Sequence, residues 1–181
     1  MDTSAAPGDL EEIRSFLNSW WIPNDTRRPV EDLAGLVADR GRWAEWLPGI
    51  PPPRRSELPA LIALRDRLRG ALGDAHPMSL QSAINADQWL VEVTPPGTEP
   101  AIRIVPQRRT TVSAIVGVVI EAVAAGRWPR LRACPDCGWV FYDTSRNARR
   151  MWCSMTAAGG ARGCGSIAKT RAYRARQAAG R

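Results

Sequence analysis

The chain has 181 residues, 44% of them hydrophobic and 7% aromatic, enough for one ordinary domain, or one plus a small module, around a buried core; this excludes disorder throughout. It carries a net charge of +7 and a single histidine, His76, which argues against His-rich metal sites and His-centred catalytic triads. The charge is local: residues 1–126 hold 13 arginines against 16 carboxylates, net −3, whereas residues 127–181 hold 11 arginines and Lys169 against Asp136 and Asp143, net +10.

In chain order, Asp9 can cap a helix in which Leu10, Ile13, Leu17 and Trp20 or Trp21 recur at helical spacing, ending at Pro23. Val30 to Val37 repeats the pattern through Leu33, Leu36 and Val37, and Trp43, Trp46 and Leu47 mark an amphipathic turn before Pro48. Pro51-Pro52-Pro53 is a stiff spacer. Beyond it Ser56 starts a helix carrying Leu61, Leu64, Leu68 and Leu72 and stopping at Gly73. A short helix after Ser79 is followed by a β-hairpin, with Trp89, Val91 and Val93 alternating on one strand and Ile102 to Ile104 resuming the period of two after Pro95-Pro96-Gly97. Thr110 or Thr111 caps a helix from Val112 to Ala125, apolar on nearly every face and therefore expected in the core, with Gly126 as its stop. His76, before Pro77 in a turn, reads as a surface residue. The five tryptophans between Trp20 and Trp89 fit either ordinary core packing, the commoner case, or an aromatic ligand pocket. The change of charge at Gly126 divides the chain into 1–126 and 127–181.

No apolar run approaches the roughly 18 residues of a membrane helix, and the N-terminus has neither a basic start nor an apolar stretch, so a soluble, cytoplasmic protein is expected. All four cysteines lie between Cys134 and Cys164, the pattern of a local metal clamp in a reducing compartment rather than a disulfide framework. Cys134-Pro135-Asp136-Cys137-Gly138-Trp139 reads as a metal knuckle: two residues between thiolates let both sulfurs meet one ion, and Gly138 can take the conformation of a tight turn. Cys153 and Cys164 supply the other pair. Four sulfurs specify one structural Zn²⁺ with no open position for catalysis. The alternative, a redox CxxC or chance thiols, leaves the clustering of every cysteine unexplained. No phosphate-binding glycine loop or nucleophile elbow is present, and a closed thiolate site gives Asp136 and Asp143 nothing activated to work on, so no enzyme is expected.

The run from Cys134 to Met155, with Arg146, Arg149, Arg150 and Trp152 before and around the third cysteine, resembles the CGNR zinc-finger family. In that family an N-terminal ABATE domain precedes the finger in bacterial stress-responsive transcription regulators. Upstream, Phe16-Leu17-Asn18-Ser19, Leu64-Arg65-Asp66-Arg67-Leu68 and the Val112 helix are similar as well. The resemblance implies a zinc-bound C-terminal module that binds DNA and an N-terminal domain to which the family gives no settled role; a ligand-sensing role for that domain rests on the tryptophan-pocket reading. Two departures stand out: the family's Cys-Gly-Asn-Arg reads Cys164-Gly165-Ser166-Ile167 here, and about six extra residues, among them Gly159-Gly160-Ala161-Arg162-Gly163, precede the last cysteine.

The expected fold class is α+β: a mostly helical N-terminal domain with one β-hairpin, then a small treble-clef-like finger of knuckle, short hairpin through Val140, Phe141 and Tyr142, and terminal helix. On that helix Ala168, Ala172, Ala175 and Ala179 share one narrow face, expected to pack on the finger, while Lys169, Arg171, Arg174 and Arg176 flank it. With Arg146, Arg149, Arg150 and Arg162 they form a basic set suited to phosphates and guanine edges. A basic helix face can also be merely solvated, or can dock on the acidic N-terminal domain. Three functions fit: a double-stranded DNA-binding regulator, which the basic segment favours; a zinc-stabilised protein-interaction module; and an RNA-binding protein. A membrane surface fits poorly, since Ile167 is the only large aliphatic residue beside the arginines.

Overall fold

In the computed structural model, which describes residues 5–75, 77–93, 102–154 and 163–179, the apolar spacing of Leu10, Ile13, Phe16 and Leu17 produces α1 (Leu10–Leu17), with these side chains buried. Asp9 makes no side-chain cap. The helix does not continue to Pro23: Trp20–Trp21 form β1, antiparallel to β2 (Val30–Glu31), with Trp20 opposite Glu31. The cause lies far along the chain. Asn18 is buried with its side chain committed to the backbone of Val140, donating to the carbonyl at 2.9 Å and accepting from the amide at 2.7 Å.

Because β2 takes Val30, the second expected helix is shorter, α2 (Leu33–Ala38). Asp39 caps α3 (Arg40–Trp46) by accepting from the amides of Gly41 and Arg42. Trp43 on α3 is fully buried, with its indole N–H on the Ile50 carbonyl at 3.0 Å, so its polar edge is satisfied. A 3₁₀ turn at Arg55–Glu57 leads into α4 (Leu58–Gly70). Another at Met78–Leu80 precedes α5 (Gln81–Ile84). The expected hairpin is present as β3 (Trp89–Val93) and β4 (Ile102–Pro106), paired from Trp89 with Pro106 to Val93 with Ile102; its turn and His76 lie outside the described residues. Thr110 caps α6 (Thr111–Ala124) through the Ser113 amide, and Ile115, Val116, Val119 and Ala122 place that helix in the core. After a 3₁₀ turn at Trp128–Arg130 come β5 (Leu131–Ala133), the antiparallel β6 (Val140–Tyr142) and α7 (Cys164–Ala179).

The result is an α+β fold in which three separate two-stranded ladders flank helices α1, α4 and α6, packed on one another. One apolar cluster runs from Phe16 through Leu61 and Ile115 to Trp128, Leu131 and Val140, so the core crosses Gly126. A buried charge sits at its edge. Arg65 on α4, 3% exposed, meets both Glu31 oxygens at 2.6 and 2.7 Å and the Ser19 hydroxyl at 3.2 Å. A bidentate carboxylate offsets the desolvation of a guanidinium that would otherwise be costly to bury.

Candidate metal centre

The knuckle closes the turn between β5 and β6. The Cys134 amide donates to the Trp139 carbonyl at 2.9 Å, and the Gly138 amide to the Cys134 carbonyl at 2.8 Å. Gly138 has φ +69°, and a Cβ there would lie 2.5 Å from the Trp20 ring. Both the turn and the close approach demand glycine. Cys153 follows a loop organised by Asp143, which is fully buried and accepts from the amides of Ser145 and Arg150, each at 2.8 Å. Burial pushes the Asp143 carboxyl up, but the Ser145 and Arg150 bonds outweigh it and hold the group below its ordinary range. Cys164, the last of the four, opens α7.

The four cysteine sulfurs lie within 4.8 Å of one another, with Cys137 to Cys153 at 3.5 Å and Cys153 to Cys164 at 3.7 Å. A tetrahedral zinc with bonds of about 2.3 Å separates its sulfurs by about 3.8 Å, so the donor set fits. All four thiols are buried. Hydrogen bonds from Cys137 and Cys153 push the Cys134 thiol far down. Their separate bonds to Cys134 in turn drive Cys137 up to about 12 and Cys153 upward, and burial raises Cys164. Crowded thiols can yield one thiolate but not four unless a cation neutralises them. The site therefore fits one structural zinc ion. Trp139 and Trp152 pack against the sulfurs, as expected of residues that keep water out. Trp139 also stands edge-on to Trp21 at 5.8 Å.

Residues before Gly126 hold the knuckle in place, and no local spacing announces them. The Ile22 amide donates to the Cys137 carbonyl at 2.8 Å. Arg69, stacked on Trp20 at 4.7 Å, joins the Leu17 and Gly138 carbonyls at 2.7 and 2.6 Å. Arg27 binds the carboxylate and carbonyl of Asp136, and the Asn24 side chain reaches Cys164 Sγ at 3.2 Å. Of the residues that bond to the finger in this way, together with Asn18, only Asn18 lies within a stretch that carried the upstream family resemblance.

The expected basic set divides. Arg146 and Arg149 are exposed. The Arg150 side chain instead folds inward over Phe141 at 4.8 Å and donates to the carbonyls of Trp152, at 2.9 Å, and Cys153, so it braces the third ligand. Arg162 lies outside the described residues. Lys169, Arg171, Arg174 and Arg176 are exposed on α7, with Arg171 paired to Asp136 at 2.8 Å. The alanine face does not pack on the finger: Ala172 and Ala175 are exposed and Ala168 half-buried. No element of the described residues covers that side.

No curated protein matches the chain. Residues 130–177 match the family model of the CGNR zinc finger, and with the four-cysteine cluster this marks the C-terminal part of the chain as a zinc-binding module of that type.

Proposed function

We propose that the chain is a regulator that binds double-stranded DNA through α7. One observation carries the reading: from Arg171 to Ala178 every residue of α7 is exposed, and the helix contains no acidic residue. A helical stretch whose one large side chain with apolar surface, Tyr173, is itself 58% exposed has little reason to persist alone in water and gains one when a partner surrounds it. At about 100° per residue, Lys169 and Arg176 lie on one side of the Ala168, Ala172 and Ala175 stripe and Arg171 and Arg174 on the other. A helix laid in a major groove with its small residues inward would present the two cation rows to opposite strands, and alanine methyls can meet thymine methyls. Arg146 and Arg149 extend the positive surface. Arg150 drops out of the set that meets DNA, since its guanidinium is engaged beside Cys153.

On the same reading residues 1–126 form an ABATE-like unit and 127–181 the reading head. A ligand sensed by the first unit would have its place in an open, half-polar trough of about 490 Å³ among Glu12, Ile50, Arg103, Ile104, Val118 and Glu121. The chain is non-enzymatic and cytoplasmic on this account; a closed four-thiolate site leaves zinc no position for substrate, and no described helix is long and apolar enough to cross a membrane. The interaction-module alternative draws on one feature, the Arg171–Asp136 pair, which occupies one of the helix cations within the protein. Titration of zinc-loaded protein with random-sequence duplex DNA and with RNA separates the readings. Duplex affinity should fall on the order of a hundredfold between 50 and 200 mM salt if about four phosphates are neutralised. Equal or tighter RNA binding favours the RNA reading, and no binding to either favours the interaction module.

A further inference from the structure

Asn24 lies in the β1–β2 loop, well before the segment that matches the zinc-finger family, yet its side-chain amide stands 3.2 Å from Cys164 Sγ. Its orientation is fixed from the other side, because Arg27 Nη1 donates to Asn24 Oδ1 at 3.2 Å. The oxygen is thus engaged by Arg27 and stands farther from the sulfur, at 3.6 Å, than the NH₂, at 3.2 Å. A zinc-bound thiolate can only accept, so the pairing has the right sense for the loaded centre. The loop is held in position at some backbone cost: Arg27 has φ +53°, in the left-handed region that L-residues adopt reluctantly. Its guanidinium meets the Asp136 carboxylate at 3.3 Å and the Asp136 carbonyl at 3.0 Å. Asp136, with a side chain only 6% exposed, is shared with Arg171 of α7 at 2.8 Å. Cys164, Asn24, Arg27, Asp136 and Arg171 therefore form one connected chain of bonds from the last zinc ligand to the first exposed turn of α7.

We propose that Asn24 completes the zinc centre from outside the finger as a thiolate-directed hydrogen-bond donor, and that its loop, through Arg27 and Asp136, sets the direction in which α7 leaves the metal. Outer partners of this kind orient a ligand, and a hydrogen bond to a thiolate withdraws charge from the sulfur, which makes it less basic and less readily protonated away from the metal. Asn24 is a positioning residue, and its role stands whether or not the chain binds DNA.

The test uses the full-length protein loaded with zinc or cobalt. Asn24→Leu keeps the size of the side chain and removes the donor; Asn24→Asp keeps its shape and replaces the donor with an acceptor. Both should speed zinc transfer to a chromogenic chelator at fixed pH by roughly tenfold. In the cobalt form the sulfur-to-metal charge-transfer band should move to longer wavelength, because a thiolate without its hydrogen bond gives up electron density more easily. Arg27→Gln, which frees the Asn24 amide to rotate, should give a smaller change in the same direction. Unchanged release and an unmoved band would overturn the proposal. Faster release with an unmoved band would also overturn it, reducing Asn24 to a packing role. Should either Asn24 variant fail to fold, the unaltered chain loaded with cadmium-113 decides: scalar coupling between the metal and the Asn24 side-chain amide protons is expected, and its absence from assigned spectra would contradict the hydrogen bond.

Discussion

The zinc module is held in opposite ways at its two ends. At the knuckle, Asn18, Ile22 and Arg69 supply donors to the backbone around Cys137 and Val140, and Trp20 leaves no room for a side chain at Gly138. Along α7, everything from Arg171 to Ala178 is exposed. A metal site needs a platform that cannot give; on the proposed DNA-binding reading, α7 is by contrast an arm that its partner completes. One zinc ion joins the two, because Cys134 and Cys137 belong to the platform and Cys164 begins the arm.

The most severe way to break that contrast is to remove the joint. Chelation, or Cys164→Ser, should abolish the helical signal of α7 and disorder the loop at Cys153, since structural zinc contributes on the order of 10 kcal/mol to folding a small module. The N-terminal helices should still unfold cooperatively, at a lower midpoint, because Trp128, Leu131 and Val140 share their core. Circular dichroism against denaturant, with and without metal, checks both statements.

Gly138→Ala attacks the platform alone. The positive φ and the close approach of Trp20 together should cost about 3 kcal/mol, seen as a lower urea midpoint in the zinc-loaded chain. Asn18→Ala leaves the buried amide and carbonyl of Val140 unpaired and should cost about 2 kcal/mol; an effect no larger than that of an exposed alanine substitution would show that the platform is not held there.

These residues also show what could be read from sequence. The zinc ligands were legible because Cys-x2-Cys and the clustering of all four cysteines are local signals, and α6 and the β3–β4 hairpin because composition and period agreed. Trp20 and Trp21 misled: they continue the spacing of Leu10, Ile13 and Leu17, and the reason α1 stops at Leu17 is a pair of bonds from Asn18 to a residue 122 positions away. Arg150 has the composition of a phosphate ligand and the geometry of a brace. The alanine stripe of α7 has the pattern of a packed face, yet no described element packs on it, because a small-residue face records close approach without naming what approaches.

A smaller effect sharpens the comparison through pH. The bonds from Arg65 hold the Glu31 carboxyl below its ordinary value of 4.5, with burial opposing them. This pair therefore stabilises the fold above the unfolded carboxyl range and loses its contribution as pH falls through the lowered folded value. Glu31→Gln should cost about 1 kcal/mol at neutral pH, reduced because the carboxylate is partly exposed. The difference from the parent should shrink on acidification, in urea unfolding at matched ionic strength. A constant difference at all pH values would mean that Glu31 acts by packing.

Least of all should stability respond to the arm. Replacing Arg171, Arg174 and Arg176 together by alanine removes exposed side chains and one partly exposed ion pair, in favour of the better helix former, so zinc content and thermal midpoint should remain near those of the parent. The direct test of the account is the affinity of this triple variant for duplex DNA as a function of salt. Binding should weaken for all sequences alike, and the slope of log affinity against log salt should flatten by up to about 0.9 for each phosphate that is no longer neutralised. Unchanged affinity and slope would contradict the account, and α7 would then be the docking face of a protein-interaction module.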